Sequence, residues 1–447
     1  MQTMEEAAEA LAAGRTSAAA IVDEALARIA DGAVRGTFTA VHADAARTQA
    51  RAMDALRQSG APPSRYAGIP VTVKDLFDEA GHVTTAGSVV LRDAPPAAAD
   101  AAAVARLRRA GFVVLGRTGM TEFAFSGLGA NPHYGTPSNP WDRETGRLPG
   151  GSSSGAGVAA AEGMGFGGLG TDTGGSCRVP AALCGVTGFK PTARRVPLTG
   201  ALPLSPTLDS VGPLARSVAC CAVLDAVASG DEAPAPPEPR PVAGLRLGLP
   251  RGTFLTEGLD AAVDAAFARA LSRLAAAGAR IELFDLPELA ELPAVNAAGG
   301  FIAAEAWAWH RRLIAERREG YDPRILARIM CGERMGAADY IELAKARARI
   351  SAAVARRTAG FDAVVCPTCP VVAPPIAAVE PEAEYNRINL LLLRNTTVWN
   401  FLDRCSISLP MHRPGEAPAG LMLTGERMAD RSLLAVAAGV EARLAEG

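Results

Sequence analysis

Two glycine-rich turns that carry serine are the part of this 447-residue sequence best suited to chemistry. The first turn spans residues 150–155 and the second spans residues 170–176, with small apolar residues at 156–169 between them. Glycine permits backbone conformations that other residues avoid, and it lets a bound molecule approach the main chain. Successive N–H groups around such a turn can point into one concavity and stabilise an oxyanion. A serine at the end of the turn would then stand beside that concavity.

A serine nucleophile needs a base, and a lysine is the candidate here. The sequence has five histidines, at positions 42, 82, 133, 310 and 412. None has a context that supports the role of base. Lys74 ends the apolar run Ile69–Val73, which we interpret as a buried strand. Because burial disfavours the ammonium form, Lys74 could be neutral, unless the adjacent Asp75 stabilises its charge. The alternative interpretation is an ordinary lysine at a strand end on the surface.

Two generic motifs also match the glycine-rich region, and we reject both. Gly151-x-Ser153-x-Gly155 has the spacing of a nucleophile elbow, which requires a preceding strand, whereas residues 139–150 are predicted to be coil. Residues 165–170 have the spacing of a dinucleotide-binding fingerprint, but no β-rich strand leads into them and no helix start follows. A flexible turn without chemistry is the simplest alternative for the whole region.

The composition excludes several classes of protein. Lysine and arginine number 45 and aspartate and glutamate 47, so the net charge of −2 argues against a nucleic-acid partner. Hydrophobic residues make up 49% and charged residues 21%, which predicts a large core and excludes global disorder. No uncharged apolar run reaches about 18 residues, so we expect no membrane helix and no membrane partner. The acidic first residues lack the features of a secretory signal, which indicates a cytoplasmic protein.

The cysteines favour reduced thiols in such a compartment. Eight cysteines are scattered through apolar surroundings, a pattern unlike a disulfide scaffold. Cys366 and Cys369 have CxxC spacing, but no second pair with matching spacing completes a zinc site. We therefore predict no metal centre.

Helical patterns begin at the N-terminus. Thr3 and Glu6 have the spacing of a capping box for a first helix, and Ser17 can cap a second that Gly32 stops. The second helix has one apolar face, formed by Ile21, Val22, Ala25, Leu26 and Ile29.

Strand and helix patterns alternate through the rest of the chain. A helix is predicted at residues 98–110, and strands are predicted at residues 68–74, 112–115, 245–249, 280–284, 363–365 and 407–409. Strands separated by helices predict an α/β fold whose mixed or parallel sheet has helices on both faces. The proline-rich segment 231–241 is interpreted as a surface excursion within one domain, and a domain boundary there is the alternative.

Long stretches of the chain resemble the amidase signature family. The resemblance is closest at residues 68–75 (GIPVTVKD) and at 149–192, which contain Gly150-Gly151-Ser152-Ser153, the run GTDTGGS and the run GFKPT. It continues more weakly at 203–213, 366–370 and 418–434. The resemblance implies a single large domain over 1–447 with a mixed, mostly parallel twisted β-sheet covered by α-helices on both faces. Residues 1–64 would be N-terminal helices, 65–215 the signature core and 216–447 the rest of the sheet and the pocket helices.

The resemblance also implies a role for each residue of a Ser–Ser–Lys triad. Lys74 would be the base, Ser152 the bridging serine after a cis peptide bond from Gly151, and Ser176 the nucleophile. The spacing of 24 positions from Ser152 to Ser176 matches the family without a gap. The oxyanion would be held by four backbone N–H groups, those of Thr173, Gly174, Gly175 and Ser176.

Other residues would support this triad or contact the substrate. Ser153, Asp172 and Arg178 would surround the triad, and Arg178 would either hold the turn or bind a substrate carboxylate. Met120, Phe123 and Tyr321 are predicted to line the acyl pocket, with core packing as the alternative. Where the family often has Gly-Leu-Pro, this chain has Asp403-Arg404-Cys405, so the far pocket wall is expected to differ.

The implied activity is hydrolysis of the C–N bond of a small linear amide through an acyl-enzyme, without a cofactor. Whether the amide is aliphatic, aromatic or carbamoyl stays open. One alternative is the glutamine-hydrolysing subunit of a tRNA-dependent amidotransferase, although Val179 stands where that subunit usually has glutamine. A catalytically inactive binding or scaffold member is the alternative from another class. The N-terminal helices could form a homodimer contact.

Overall fold

The computed structural model describes residues 3–446. Within them the strands are β1 (Phe38–Val41), β2 (Pro70–Lys74), β3 (Val113–Thr118), β4 (Gly167–Asp172), β5 (Thr187–Lys190), β6 (Ser210–Ala215), β7 (Arg246–Pro250), β8 (Arg280–Phe284), β9 (Ala363–Pro367), β10 (Ser406–Pro410) and β11 (Gly420–Thr424). The α-helices are α1 (Met4–Ala12), α2 (Ala18–Gly32), α3 (Ala43–Gln58), α4 (Ala102–Arg109), α5 (Ser154–Ala161), α6 (Arg178–Cys184), α7 (Val218–Ser229), α8 (Ala261–Ala276), α9 (Leu292–Val295), α10 (Gly300–Arg317), α11 (Pro323–Met330), α12 (Ala337–Thr358), α13 (Glu382–Leu393), α14 (Thr396–Phe401) and α15 (Asp430–Ala445).

The strands form one sheet in the order β1-β3-β2-β4-β6-β5-β10-β11-β9-β7-β8. The predicted α/β fold, with a large mixed sheet flanked by helices, is confirmed. The expectation of a mostly parallel sheet is wrong, because only the β2–β3, β2–β4, β7–β8 and β7–β9 pairings are parallel. The other six pairings are antiparallel. Most of these involve β4, β5, β6 or β11, strands that the sequence patterns did not predict.

Strands β4 and β6 are hard to recognise because they place glycine where atoms of a neighbouring strand approach closely. A Cβ on Gly168 of β4 would lie 2.2 Å from the hydroxyl oxygen of Thr72 on β2. A Cβ on Gly212 of β6 would lie 2.1 Å from the carbonyl oxygen of Phe189 on β5. Such contacts exclude any larger residue, so glycine occupies these strands despite its low strand propensity.

The N-terminal helices form as the sequence predicts. Ser17 Oγ accepts a hydrogen bond from the Ala20 N–H at 3.1 Å, and the predicted apolar face of α2 is buried. Thr3 and Glu6 form the capping box of α1. Gly32 is the last residue of α2 rather than the residue after it. Asp54 of α3 accepts from the N–H groups that begin α2, at 2.7 and 3.0 Å, which joins the two helices.

The proline-rich segment 231–241 lies between parts of the same sheet. Strands β7–β11 all follow this segment. They continue the sheet formed by the strands before it, because β10 pairs with β5. The Arg240 N–H donates to the Ala435 carbonyl at 2.9 Å, so the end of the segment lies against α15. Among residues 3–446, no helix combines the length and the hydropathy needed to cross a bilayer.

Candidate active site

Strand β2 places a lysine amine inside the protein. Lys74 is the last residue of β2, which lies between β3 and β4, and its side chain is completely buried. Its Nζ lies at hydrogen-bond distance from two hydroxyls, 2.7 Å from Ser152 Oγ and 2.9 Å from Thr171 Oγ1. The surface interpretation of Lys74 is therefore wrong. The three residues come from β2, the first glycine turn and β4, which the sheet brings together.

The carboxylate next to Lys74 points elsewhere. Asp75 accepts from Arg117 Nε at 2.8 Å, from Thr39 Oγ1 at 3.0 Å and from the Gly87 N–H at 3.0 Å. Asp75 therefore forms an ion pair with Arg117 on β3 rather than with Lys74. Burial lowers the pKa of Lys74 to about 8, although the nearby carboxylates of Asp172 and Asp209 oppose this shift. A substantial neutral fraction at neutral pH follows from that value.

The first glycine turn presents Ser152 to the lysine. The Gly151–Ser152 peptide bond is cis, and the Ser152 carbonyl accepts from the Thr121 N–H at 3.1 Å. A Cβ on Gly151 would lie 2.5 Å from the backbone nitrogen of Gly129, so only glycine fits. The next residue, Ser153, precedes α5, and its N–H donates to the Ser176 carbonyl at 3.2 Å. This bond joins the two glycine turns.

Asp172 holds the second glycine turn in shape. Its carboxylate accepts from the Cys177 N–H at 3.1 Å, from Arg178 Nε at 3.0 Å and Nη2 at 2.9 Å, and from Asn400 Nδ2 at 2.9 Å. Although burial raises the pKa of Asp172, the charge and hydrogen bonds of Arg178 lower it below its ordinary range. Arg178 is fully buried, and it also donates to Asn400 Oδ1 at 2.6 Å. The geometry thus supports Arg178 as the group that holds the turn.

The predicted oxyanion donors lie on this turn. The backbone N–H groups of Thr173, Gly174, Gly175 and Ser176 donate to no acceptor within residues 3–446. Thr396 Oγ1 donates to the Gly174 carbonyl at 2.6 Å, which orients the turn from α14. Gly175 has a φ of 143°, which favours glycine. Four free amides on a fixed turn are suited to a developing negative charge.

The hydroxyl of Ser176 is not engaged. Ser176 is 5% exposed, and its Oγ has no hydrogen-bond partner in the described part of the chain. Lys74 contacts Ser152, but no hydrogen bond joins Ser152 to Ser176. Catalytic hydrogen bonds are often long in a free enzyme and tighten when substrate binds.

The residues predicted to contact substrate lie in the core. Met120, Phe123 and Tyr321 are at most 4% exposed, and Tyr321 OH lies 3.0 Å from His310 Nδ1. Their contact with substrate stays a prediction. A small cavity of about 20 Å³ lies beside the site; its lining includes Leu76, Ala124, Thr171, Thr173, Pro203 and Asp209.

Four residues of the site were missed by sequence reasoning. They are Thr171, Asp209, Thr396 and Asn400. Asp209 accepts from Thr173 Oγ1 at 2.5 Å, and burial raises its pKa to about 6 despite that bond. Thr171 and Asp209 lie in stretches that carry the family resemblance, which was a usable signal. Thr396 and Asn400 are more than 200 residues from the turn they support, and nothing in their local sequence marks them.

The segment that departs from the family pattern has structural contacts. Asp403 accepts from the Ala193 N–H at 3.0 Å and from Arg427 Nε at 2.8 Å. Arg404 donates to Thr358 Oγ1 at 2.9 Å. Cys366 and Cys369 are both buried and free.

Comparison with known proteins agrees with this fold. The family model described as Amidase matches residues 20–434, and the chain belongs to that family. It is 38% identical over 409 residues to a 2-amino-5-chloromuconic acid deaminase from Comamonas testosteroni, covering 90% of this chain and 87% of the relative. It is 34% identical over 471 residues to a glutamyl-tRNA(Gln) amidotransferase subunit from Roseiflexus sp. strain RS-1, covering 97% of this chain and 94% of that relative.

A solved structure shows the same fold over the full length. A crystal structure of an amidase superposes with a TM-score of 0.89 at 32% sequence identity and covers 99% of this chain and 100% of its own. The resemblance to the amidase signature family is therefore confirmed. The chain is an amidase-family protein whose relatives include enzymes that act on C–N bonds.

Proposed function

We propose that this protein is an amidohydrolase that cleaves the C–N bond of a small linear amide. One observation carries the proposal above all: a completely buried lysine amine lies 2.7 Å from the hydroxyl of Ser152. A lysine in that position is a candidate base, because burial lowers its pKa to about 8. The free hydroxyl of Ser176 and the four free amides of its turn supply a nucleophile and an oxyanion site.

The reaction begins with proton transfer toward Lys74. Neutral Lys74 takes a proton from Ser152 as Ser152 takes the proton of Ser176, and Ser176 Oγ bonds to the amide carbonyl carbon. The carbonyl oxygen becomes an oxyanion held by the N–H groups of residues 173–176. The proton then returns through Ser152 to the leaving nitrogen, the C–N bond breaks, and ammonia or an amine departs. Water hydrolyses the resulting ester of Ser176 by the same relay, which releases the acid and restores Lys74.

Glutamine hydrolysis for a tRNA-dependent amidotransferase is the second candidate. The similarity to the Roseiflexus amidotransferase subunit over almost the whole chain favours it. Val179, which is buried on α6 beside Arg178, stands where that subunit usually has glutamine. Release of ammonia from glutamine only in the presence of partner subunits would support this second function. An inactive scaffold is disfavoured, since Lys74, Ser152 and Ser176 are all present.

The setting of the reaction is part of the same proposal. We propose that residues 1–447 form one catalytic domain that acts on small molecules in the cytoplasm. The relay uses side chains and backbone amides of this chain. A homodimer contact through the N-terminal helices stays a prediction.

The test is ammonia release from a panel of aliphatic, aromatic and carbamoyl amides by the purified chain. Replacement of Ser176 by Ala is expected to abolish release, and Lys74→Ala or Ser152→Ala to lower it by several orders of magnitude. Ser154→Ala is the matched control, because Ser154 is a buried serine of the same segment whose Oγ donates only to the Gly119 carbonyl, at 3.4 Å. A serine-reactive phosphonate should label the wild-type chain and not the Ser176→Ala protein. Near-normal turnover in the Lys74→Ala protein would refute the relay.

A further inference from the structure

An open cavity of about 370 Å³ lies apart from the triad, between α10, α12 and the end of α14. Its lining includes Thr207, Phe301, Tyr340, Arg347, Leu402, Asp403 and Arg427. Two alanines of α12, Ala344 and Ala348, also line the cavity and are exposed, so it opens at the surface along that helix. A volume in this range is typical of small-molecule sites.

Arg347 brings to this cavity a guanidinium that lies 5.5 Å from the centre of the Phe301 ring and has no carboxylate bound to it within residues 3–446. Its Nε donates to the Phe401 carbonyl at 2.6 Å and its Nη2 to the Asn400 carbonyl at 3.5 Å, both neutral acceptors at the end of α14. Its Nη1 makes no hydrogen bond within residues 3–446, and Arg347 forms no ion pair there. Burial lowers the pKa of Arg347, and the nearby charge of Asp403 only partly offsets this. An anion in the cavity would relieve that deficit.

The acidic groups near the cavity are already paired. Asp403 accepts from Arg427 and from the Ala193 N–H. Glu305, behind the lining, accepts from Tyr340 OH at 2.6 Å, from the Thr207 N–H at 3.1 Å and from the hydroxyls of Thr207 and Ser205. Neither acid therefore neutralises Arg347. The charge complementarity of the cavity favours a negative ligand.

The remaining wall is apolar. Phe301 and Leu402 are buried side chains whose surfaces face the cavity, and Ala344 and Ala348 form its outer edge. We propose that this cavity binds a small organic acid, with its carboxylate on Arg347 and its hydrocarbon part against Phe301 and Leu402. An inorganic anion would bind Arg347 but would leave the apolar wall in contact with water, so we expect it to bind more weakly than an organic acid.

Two sources can supply this carboxylate. The loop that carries Thr207 also carries Asp209, which holds Thr173 of the oxyanion turn, and Glu305 holds that loop through Ser205. The ligand is therefore either the acid end of the amide substrate, which rests on the proposed function, or a separate organic acid whose binding adjusts the turn. Both share the same recognition by Arg347.

Binding is tested first, in a form that needs no turnover. Calorimetric titration of the full-length Ser176→Ala protein with benzoate should show binding. Benzamide should bind at least about tenfold more weakly, because it lacks the charge of the bond to Arg347. Inorganic phosphate should also bind at least about tenfold more weakly, because it leaves the apolar wall uncovered. Arg347→Met should weaken benzoate by a similar factor. The matched control is Arg349→Met on the same helix, because Arg349 pairs with Glu291 at the surface.

A second variant separates binding from folding. Ala348→Phe fills the cavity from the exposed side of α12 and leaves Arg347 in place, so it should also abolish benzoate binding. Absence of benzoate binding to the Ser176→Ala protein, or unchanged affinity in both the Arg347→Met and Ala348→Phe proteins, would overturn the site.

Kinetics then identify the source of the carboxylate. If the site takes the acid end of the substrate, benzoate inhibits amide hydrolysis competitively in the wild-type chain and loses this effect with Arg347→Met. If the site takes a separate acid, benzoate changes kcat until the site is saturated, and this effect is lost in the Arg347→Met protein. Both results support the site. Should the chain hydrolyse no amide, the calorimetric result still decides the inference independently of the proposed function.

Discussion

The most specific prediction concerns Thr171, the second hydroxyl beside the lysine amine. At pH 7 a lysine of pKa about 8 is roughly one-tenth neutral, whereas an ordinary lysine of pKa about 10.4 is neutral in about 0.04% of molecules. The burial of Lys74 therefore raises the neutral fraction of this lysine, the form that the proposed relay needs, by roughly 200-fold at this pH. The structure predicts an acid limb of kcat/KM near pH 8, with activity rising as pH rises through it.

Replacing Thr171 by Val should move that limb to lower pH. Thr171 Oγ1 accepts from Lys74 Nζ at 2.9 Å, and this bond stabilises the ammonium form more than the amine. A hydrogen bond to a charged group contributes roughly 1.5 kcal/mol or more, which corresponds to about one pKa unit. The limb should then lie near pH 7. The ratio of kcat/KM at pH 7 to kcat/KM on the high-pH plateau should be about fivefold larger in the Thr171→Val protein than in the wild type.

The assay is ammonia release from the best amide of the panel, measured from pH 5.5 to pH 10 at constant ionic strength. Thr118→Val is the matched control, since this buried threonine ends the neighbouring strand β3 and its Oγ1 donates to the Val73 carbonyl rather than to the lysine. Burial also raises the pKa of two other acids, Asp209 to about 6 and Glu122 to about 7, so a limb in this range has to be assigned among these acids and Lys74. A limb that stays in place or moves upward in the Thr171→Val protein would refute its assignment to Lys74.

Three further predictions test the scaffold of the site. Arg178→Met leaves the carboxylate of Asp172 buried without its partner, so we expect a loss of about 3–5 kcal/mol in the free energy of unfolding by urea denaturation; an unchanged midpoint contradicts the structural role of Arg178. Ser17→Ala removes the cap of α2 and should cost about 1 kcal/mol in the same assay, whereas Ser59→Ala, which caps no helix N-terminus, should cost less. Gly175→Ala places a Cβ 2.2 Å from Thr396 Oγ1, so the oxyanion turn must shift and kcat should fall at least about tenfold; wild-type kcat would exclude the proposed donors.

Local patterns predicted six of the eleven strands found in residues 3–446. The strand predictions at 68–74, 112–115, 245–249, 280–284, 363–365 and 407–409 fall on β2, β3, β7, β8, β9 and β10, with ends displaced by at most three residues. These strands carry apolar and β-branched residues. Ser17 marks a helix start because its hydroxyl accepts a hydrogen bond from Ala20, only three positions along the chain. In each case the physical cause is contained in a short window of sequence.

The glycine-containing strands β4, β5, β6 and β11 could not be predicted this way. Strand β4 reads Gly-Gly-Leu-Gly-Thr-Asp, and its glycines are required by the close approach of neighbouring residues rather than by any local preference. The same applies to the site. Lys74 and the two serine turns were found through a long motif, whereas Asn400 and Thr396 act on Asp172 and Gly174 across more than 200 residues. Only the folded chain brings these partners together.

The ionisation of Lys74 can be observed directly, because the chain has three lysines, Lys74, Lys190 and Lys345. Lysine labelled with ¹³C at Cε should give three signals in a proton-detected NMR titration. Lys345 is exposed and serves as the reference, and Lys190 is buried with a pKa lowered by burial to about 8, so Lys190→Arg protein is needed to assign the signals. We predict that the signal lost in the Lys74→Met protein titrates near pH 8. Titration of that signal above pH 10 would contradict a neutral lysine base and with it the proposed relay.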